Sequence, residues 1–105
     1  EGDMIRVSVL YPYKDGAKFD HDYYANKHVP MVVGLLGSNH VEGGIDKGLC
    51  TAVPGDPPPF VCIGWLTFNT MEDFGAAFGP NADAIMADIP NYTDIEPQIQ
   101  ISEIQ

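Results

Sequence analysis

Apolar and polar positions begin to alternate at residue 4. Over residues 4–11, Ile5, Val7, Val9 and Tyr11 are separated by Arg6 and Ser8, and a period of two puts the apolar set on one face of a strand. Pro12 breaks the pattern, and residues 12–18 read as a turn-rich loop. From Asp20 the period lengthens. Asp20 suits an N-cap, Tyr24, His28, Val32 and Leu35 form the inward stripe of a helix, and Gly37 supplies its stop. Pro30 has no N–H to give the Asn26 carbonyl, which predicts a kink or break just after His28.

Residues 41–51 alternate again through Val41, Ile45 and Leu49, but Gly43, Gly44 and Gly48 weaken them, as in a bent or bulged edge strand. Residues 53–59 are too proline-rich for regular structure and form a surface loop. Residues 60–69 are apolar on both faces around Trp65, the pattern of a central strand covered on both sides. Thr70 caps a second helix, with Asp73 three positions on and Met71, Phe74, Ala77 and Phe78 at helical spacing; Gly79 and Pro80 end or bend it. A short helical piece at 81–87, a turn-rich stretch at 89–97 and an alternating strand at 98–104 complete the chain.

Strand, helix, strand, strand, helix, strand is the order of an α+β, ferredoxin-like βαββαβ domain: one antiparallel four-stranded sheet carrying both helices on one face. The other face then has no cover within one chain. A bare face of Val, Ile and aromatic side chains predicts a homodimer packed sheet against sheet.

Composition narrows the partners. Lys and Arg number 5 against 15 Asp and Glu, a formal net charge of -10, so phosphate backbones and anionic membrane surfaces are repelled. A hydrophobic content of 45% argues for one folded domain, placed at residues 4–105. No apolar run approaches membrane-spanning length and no secretion signal opens the chain, so a cytoplasmic location is expected. Cys50 and Cys62 flank the proline-rich loop and read as free thiols. His21 and His28 are seven apart, and neither His-x-x-x-His nor Cys-x-x-Cys occurs, so no metal is expected. Gly43-Gly44 lies inside a strand pattern, which gives no support to a nucleotide cofactor. A haem could take His28 as axial ligand but would find few cations for its propionates. The expectation is a protein without a cofactor.

Asp20, Tyr24 and His28, spaced by four, share one helix face. Asp20 is explained by capping. An imidazole titrates near neutrality and can move a proton, so His28 is the candidate catalytic group, with Tyr24 orienting a ligand and Tyr11 completing an acid/base cluster. The competing reading has Tyr24 and His28 filling the helix-to-sheet interface with satisfied polar tips. Trp65 is either a pocket wall or core, and Tyr92 either closes over a pocket mouth or anchors its loop.

The chain resembles the ethyl tert-butyl ether degradation (EthD) family of the dimeric α+β barrel superfamily, over residues 4–104. Phe19, Asp20, Tyr23, Tyr24, His28 and Pro30, then Phe78-Gly79-Pro80, the run from Asp88 to Asp94, Glu96, Pro97 and the Gln-Ile-Gln-Ile-Ser-Glu ending carry the resemblance. It implies a homodimeric barrel with a pocket between sheet and helices in each subunit, and a gene setting beside oxygenase systems. In methylisomerase relatives a helix histidine that looks equivalent to His28 serves the reaction. Met4 falls where such relatives start, so residues 1–3 are expected to be an extension. Two functions follow. One is a cofactor-independent monooxygenase, isomerase or cyclase acting on a hydrophobic aromatic or carbonyl compound. The other is a non-catalytic auxiliary that binds a small apolar molecule or a partner oxygenase system.

Overall fold

The structure, a computed structural model, describes residues 4–105; the extension expected at residues 1–3 lies outside the described residues. Four strands, β1 (Ile5–Pro12), β2 (His40–Lys47), β3 (Phe60–Phe68) and β4 (Gln98–Glu103), form one antiparallel sheet in the order β2-β3-β1-β4. The α+β ferredoxin-like architecture is therefore the one the alternation predicts.

Register decides which side chains meet the helices. Val7 stands opposite Leu66 and Ile101, Val9 opposite Gly64 and Ile99, and Tyr11 opposite Cys62. These residues share one face, because side chains alternate along a strand. Ser8, Leu10, Ile63 and Trp65 point the other way, where the Arg6 guanidinium lies 4.6 Å from the centre of the Trp65 ring. The register of β2 slips between His40 and Glu42, the bulge expected of this glycine-weakened edge. β2 is shorter than the alternation suggested. Its pairing gives out where the Gly48 N–H donates to the Val61 carbonyl (2.8 Å), and Leu49 projects into the loop beyond, 80% exposed.

Helix α1 has three parts: α-helical at His21–Tyr23, π-helical at Tyr24–His28 and α-helical again at Val29–Leu36. Asp20 caps it as predicted, its Oδ1 accepting from the Tyr23 N–H at 3.0 Å. The chain stays helical through Pro30, with the change from π to α geometry falling just after His28. The wide turn lies before the proline, closed by the Val29 N–H donating to the Tyr24 carbonyl five residues back, so Pro30 falls in the first turn of the next segment, where a missing N–H costs least. This turn also corrects the inward stripe. A π turn takes more residues per revolution, so a spacing of four stays on one face and the column runs Tyr24, His28, Val32, Leu36. Leu36 is 3% exposed and Leu35, the expected inward residue, 39%.

Thr70 caps helix α2 (Met71–Phe78), its Oγ1 accepting from the Asp73 N–H at 3.0 Å. A 3₁₀ turn at Gly79–Asn81, carrying Pro80, leads into helix α3 (Ala82–Asp88). Asn81 donates to the Ala77 and Leu35 carbonyls (2.8 and 3.2 Å), tying the ends of α1 and α2 together. Cys50 is exposed and Cys62 buried, both free thiols. Among the described residues no helix is long and apolar enough to cross a membrane.

The core is divided. One cluster gathers Ile5, Val7, Leu36, Phe68 and Ala77, and the other Tyr11, Tyr24, Cys62, Tyr92 and Ile95. Between helices and sheet, bordering both clusters, lies a cavity of about 650 Å³.

Candidate active site

The π turn sets His28 on the inner face of α1, where the side chain is buried and lines the cavity. Its Nδ1 lies 2.9 Å from Asp88 Oδ2 at the end of α3. The other carboxylate oxygen, Oδ1, accepts from the Tyr23 hydroxyl and from Asn91 Nδ2, each at 2.8 Å. Partial burial pushes the Asp88 carboxyl up, but the donors from Asn91, His28 and Tyr23 outweigh it and hold Asp88 below the usual carboxylate range. An ionised carboxylate only accepts, so a neutral His28 carries its hydrogen on Nδ1 and keeps a lone pair on Nε2. No hydrogen bond engages Nε2 among the described residues, yet no buried side-chain nitrogen or oxygen there lacks a partner, so Nε2 is not sealed off in this cavity-lining residue.

Aromatic rings frame the imidazole. Tyr24 stacks on it at 5.5 Å and 17°, and Tyr92 packs at 4.6 Å. The Tyr11 and Tyr92 hydroxyls share a hydrogen bond of 2.6 Å. The Tyr24 hydroxyl rests over Gly64 of β3, where any Cβ would overlap it. Burial is the main cause that raises all three phenols far above their ordinary value of 10.0. The Tyr92 hydrogen bond adds to the effect at Tyr11, and the charge of Tyr11 adds to it at Tyr24. They are neutral donors, not bases. Burial, with Asp46 adding, pushes the Cys62 thiol up to about 12.

These shifts predict alkaline instability. A group whose folded value is raised contributes stability that is complete below its unfolded value and lost as pH rises toward the folded one. Loss therefore starts above the ordinary value of 9.0 for Cys62 and deepens above 10.0 for the tyrosines. In a spectrophotometric titration, Tyr11, Tyr24 and Tyr92 are expected to ionise only together with loss of circular dichroism. Titration of all five tyrosines near pH 10 in the folded protein would contradict the buried cluster.

The sequence candidates are distributed unevenly. His28, Tyr24 and Tyr11 come together at one end of the cavity. Tyr92 is buried behind that wall, anchored where the Asp20 N–H donates to its carbonyl at 2.8 Å, and it takes no part in the lining. Trp65 borders the cavity through its strand, but its indole projects from the opposite face, over Gly44. Asp88, which orients the imidazole, is a site residue that the sequence pattern does not mark. It is 60 residues from His28, so no local spacing links them. The only signal was its place at the head of the run from Asp88 to Asp94. Among the described residues no group of three or more His, Cys, Asp or Glu is placed to hold a metal ion.

A ferredoxin-like domain with an apolar cavity between sheet and helices, and a carboxylate-held histidine at its wall, defines the class. The chain belongs to the EthD family: the EthD domain spans residues 16–96. It is 31% identical, over 85% of its length and 84% of the relative's, to an uncharacterized 11.0 kDa protein encoded in the thcB-thcC intergenic region of Rhodococcus erythropolis. An EthD-like protein from Ralstonia eutropha JMP134 is 45% identical and superposes with a TM-score of 0.93, covering 98% of this chain and 93% of that one. A dimeric ferredoxin-like protein of unknown function from Thermobifida fusca YX shares the fold at 15% identity and a TM-score of 0.61, with 99% and 93% covered.

Proposed function

We propose that this EthD protein is a small-molecule enzyme that moves a proton on a hydrophobic, enolisable carbonyl or phenolic compound without a bound cofactor. One observation carries the reading: His28, its Nδ1 held by Asp88 and its Nε2 without a partner among the described residues, lines a cavity of about 650 Å³, within the roughly 300–1,000 Å³ that suits small-molecule ligands. Nε2 takes the proton from the carbon beside the carbonyl, and Asp88 stabilises the imidazolium that forms. The electron pair moves to the carbonyl oxygen, where the neutral phenol of Tyr24 is the hydrogen-bond donor at hand. Returning the proton to another carbon completes an isomerisation, attack of that carbon on a second carbonyl a cyclisation, and its reaction with dioxygen an oxygenation.

The almost wholly apolar lining also suits a binder that does no chemistry, the auxiliary of an oxygenase system. Solvent exchange separates the two. In deuterium oxide the wild-type protein is expected to catalyse deuterium incorporation next to the carbonyl of alkyl aryl and dialkyl ketones, read by proton NMR. Ketones that raise the melting temperature yet show no catalysed exchange would leave only the auxiliary.

The far face of the sheet supports a homodimer, with Leu10, Ile63 and Trp65 pointing to it from the two central strands. The dimeric Thermobifida relative accords with this. Ile63→Asp, at the middle of that face, is expected to yield monomers in sedimentation velocity where the wild type sediments as a dimer; a dimeric variant would contradict this face as the interface. Two free thiols accord with a cytoplasmic setting.

A further inference from the structure

We infer that the ligand is an electrically neutral head-and-tail molecule, with a single carbonyl or phenolic oxygen beside His28 and an unbranched or aryl-alkyl hydrocarbon body extending toward Phe68. The inference rests on the reading of His28 as the reacting group. Its basis is the direction of the cavity. Tyr11 and Tyr24, with His28, supply the polar end, at the last residues of β1. Phe68 pairs with Ile5 at the opposite end of that strand, and the six residue steps from Ile5 to Tyr11 span about 20 Å at ~3.3 Å each. On the helix side the column from His28 to Leu36 covers about 12 Å at ~1.5 Å per residue. Over that length the walls are hydrocarbon, from Val32 to Leu36, Phe74, Phe78 and Ile85. Among the described residues His40 is the one further polar side chain in the lining, and its Nδ1 lies 2.9 Å from the Gly37 carbonyl.

Charge decides the head. Among the described residues no Lys, Arg, Asp or Glu lines the cavity. Protonation of His28 would give, with ionised Asp88, a pair of zero net charge, in a protein whose formal charge is -10. A carboxylate, phosphate or thioester-linked nucleotide would meet neutral phenols but no net positive charge to offset its desolvation. Hydrocarbon gains all along the lining, and at the mouth Met86, Ile99 and Ile101 stand 47%, 50% and 40% exposed, a rim that a tail would cover.

The test is calorimetric titration of the full chain with methyl ketones from pentanone to nonanone, and with nonanoate at pH 8. The dissociation constant is expected to fall about three- to fourfold per added methylene, and nonanoate to bind at least tenfold more weakly than nonanone. Ile101→Lys, on the exposed edge strand and compatible with the fold, is expected to weaken nonanone tenfold or more and pentanone less than threefold. Affinity independent of chain length, nonanoate binding as tightly as nonanone, or no ketone binding at all would overturn the inference. If the length dependence holds while no ketone exchanges its protons, this inference stands and the proton-transfer reading falls. If short ketones exchange and length has no effect, the reverse is true.

Discussion

His28→Ala is expected to slow deuterium exchange into a bound ketone by about 10²–10⁴-fold, the usual contribution of a positioned general base. The fold should survive. The imidazole is one of three donors to Asp88, and Tyr23 and Asn91 remain to satisfy the carboxylate. Asp88→Asn tests the same chemistry from behind the ring. An amide in place of the carboxylate can donate to Nδ1, which moves the ring hydrogen to Nε2 and removes the lone pair that faces the cavity. Exchange should fall nearly as far as in His28→Ala, with ligand affinity little altered. A pair of variants that lost stability and kept their exchange rate would make the imidazole a packing residue. The pair also has an acid limit. Because Asp88 is held below its ordinary value of 3.8, its contribution is complete above that value and lost as pH falls through the folded one.

Gly64→Ala is expected to be the most damaging single methyl addition near the site. The new Cβ would occupy the place of the Tyr24 hydroxyl, so either Tyr24 leaves its position or β3 shifts. Overpacking of this kind costs on the order of 1–3 kcal/mol, which lowers the melting temperature of a domain this size by roughly 5–20 °C. Exchange should fall as well, since Tyr24 stacks on His28 and edges onto Tyr11. Removing the hydroxyl relieves the clash. Tyr24→Phe combined with Gly64→Ala is therefore expected to regain part of the lost stability, a coupling of more than 0.5 kcal/mol of the size seen between touching residues. Strict additivity would show that the two side chains do not compete for one space.

Much of the fold is legible because it rests on periods and caps. Alternation at Ile5, Val7, Val9 and Tyr11 places β1, and Asp20 and Thr70 start their helices by the hydrogen bonds their side chains suggest. The misread features come from backbone geometry that no side-chain pattern announces. A π turn shifts the inward register from Leu35 to Leu36, and it lets Pro30 sit where no N–H is needed. Adjacent residues of β3 show a second limit. Gly64 faces Tyr24 and Trp65 faces away, but a strand apolar on both sides does not declare which residue belongs to the cavity. Asp88 shows the third, since what makes it important is a contact across 60 residues.

The central claim is that the His28 imidazole faces a ligand-sized hollow. Nitrogen-detected NMR of the histidine rings, recorded while a neutral ketone is titrated in, tests it directly. The account predicts that Nε2 of His28 shifts progressively to saturation, that its Nδ1 keeps the signature of a hydrogen held by Asp88, and that His21, outside the cavity lining, does not move. Saturable binding with the His28 resonances unchanged would contradict it.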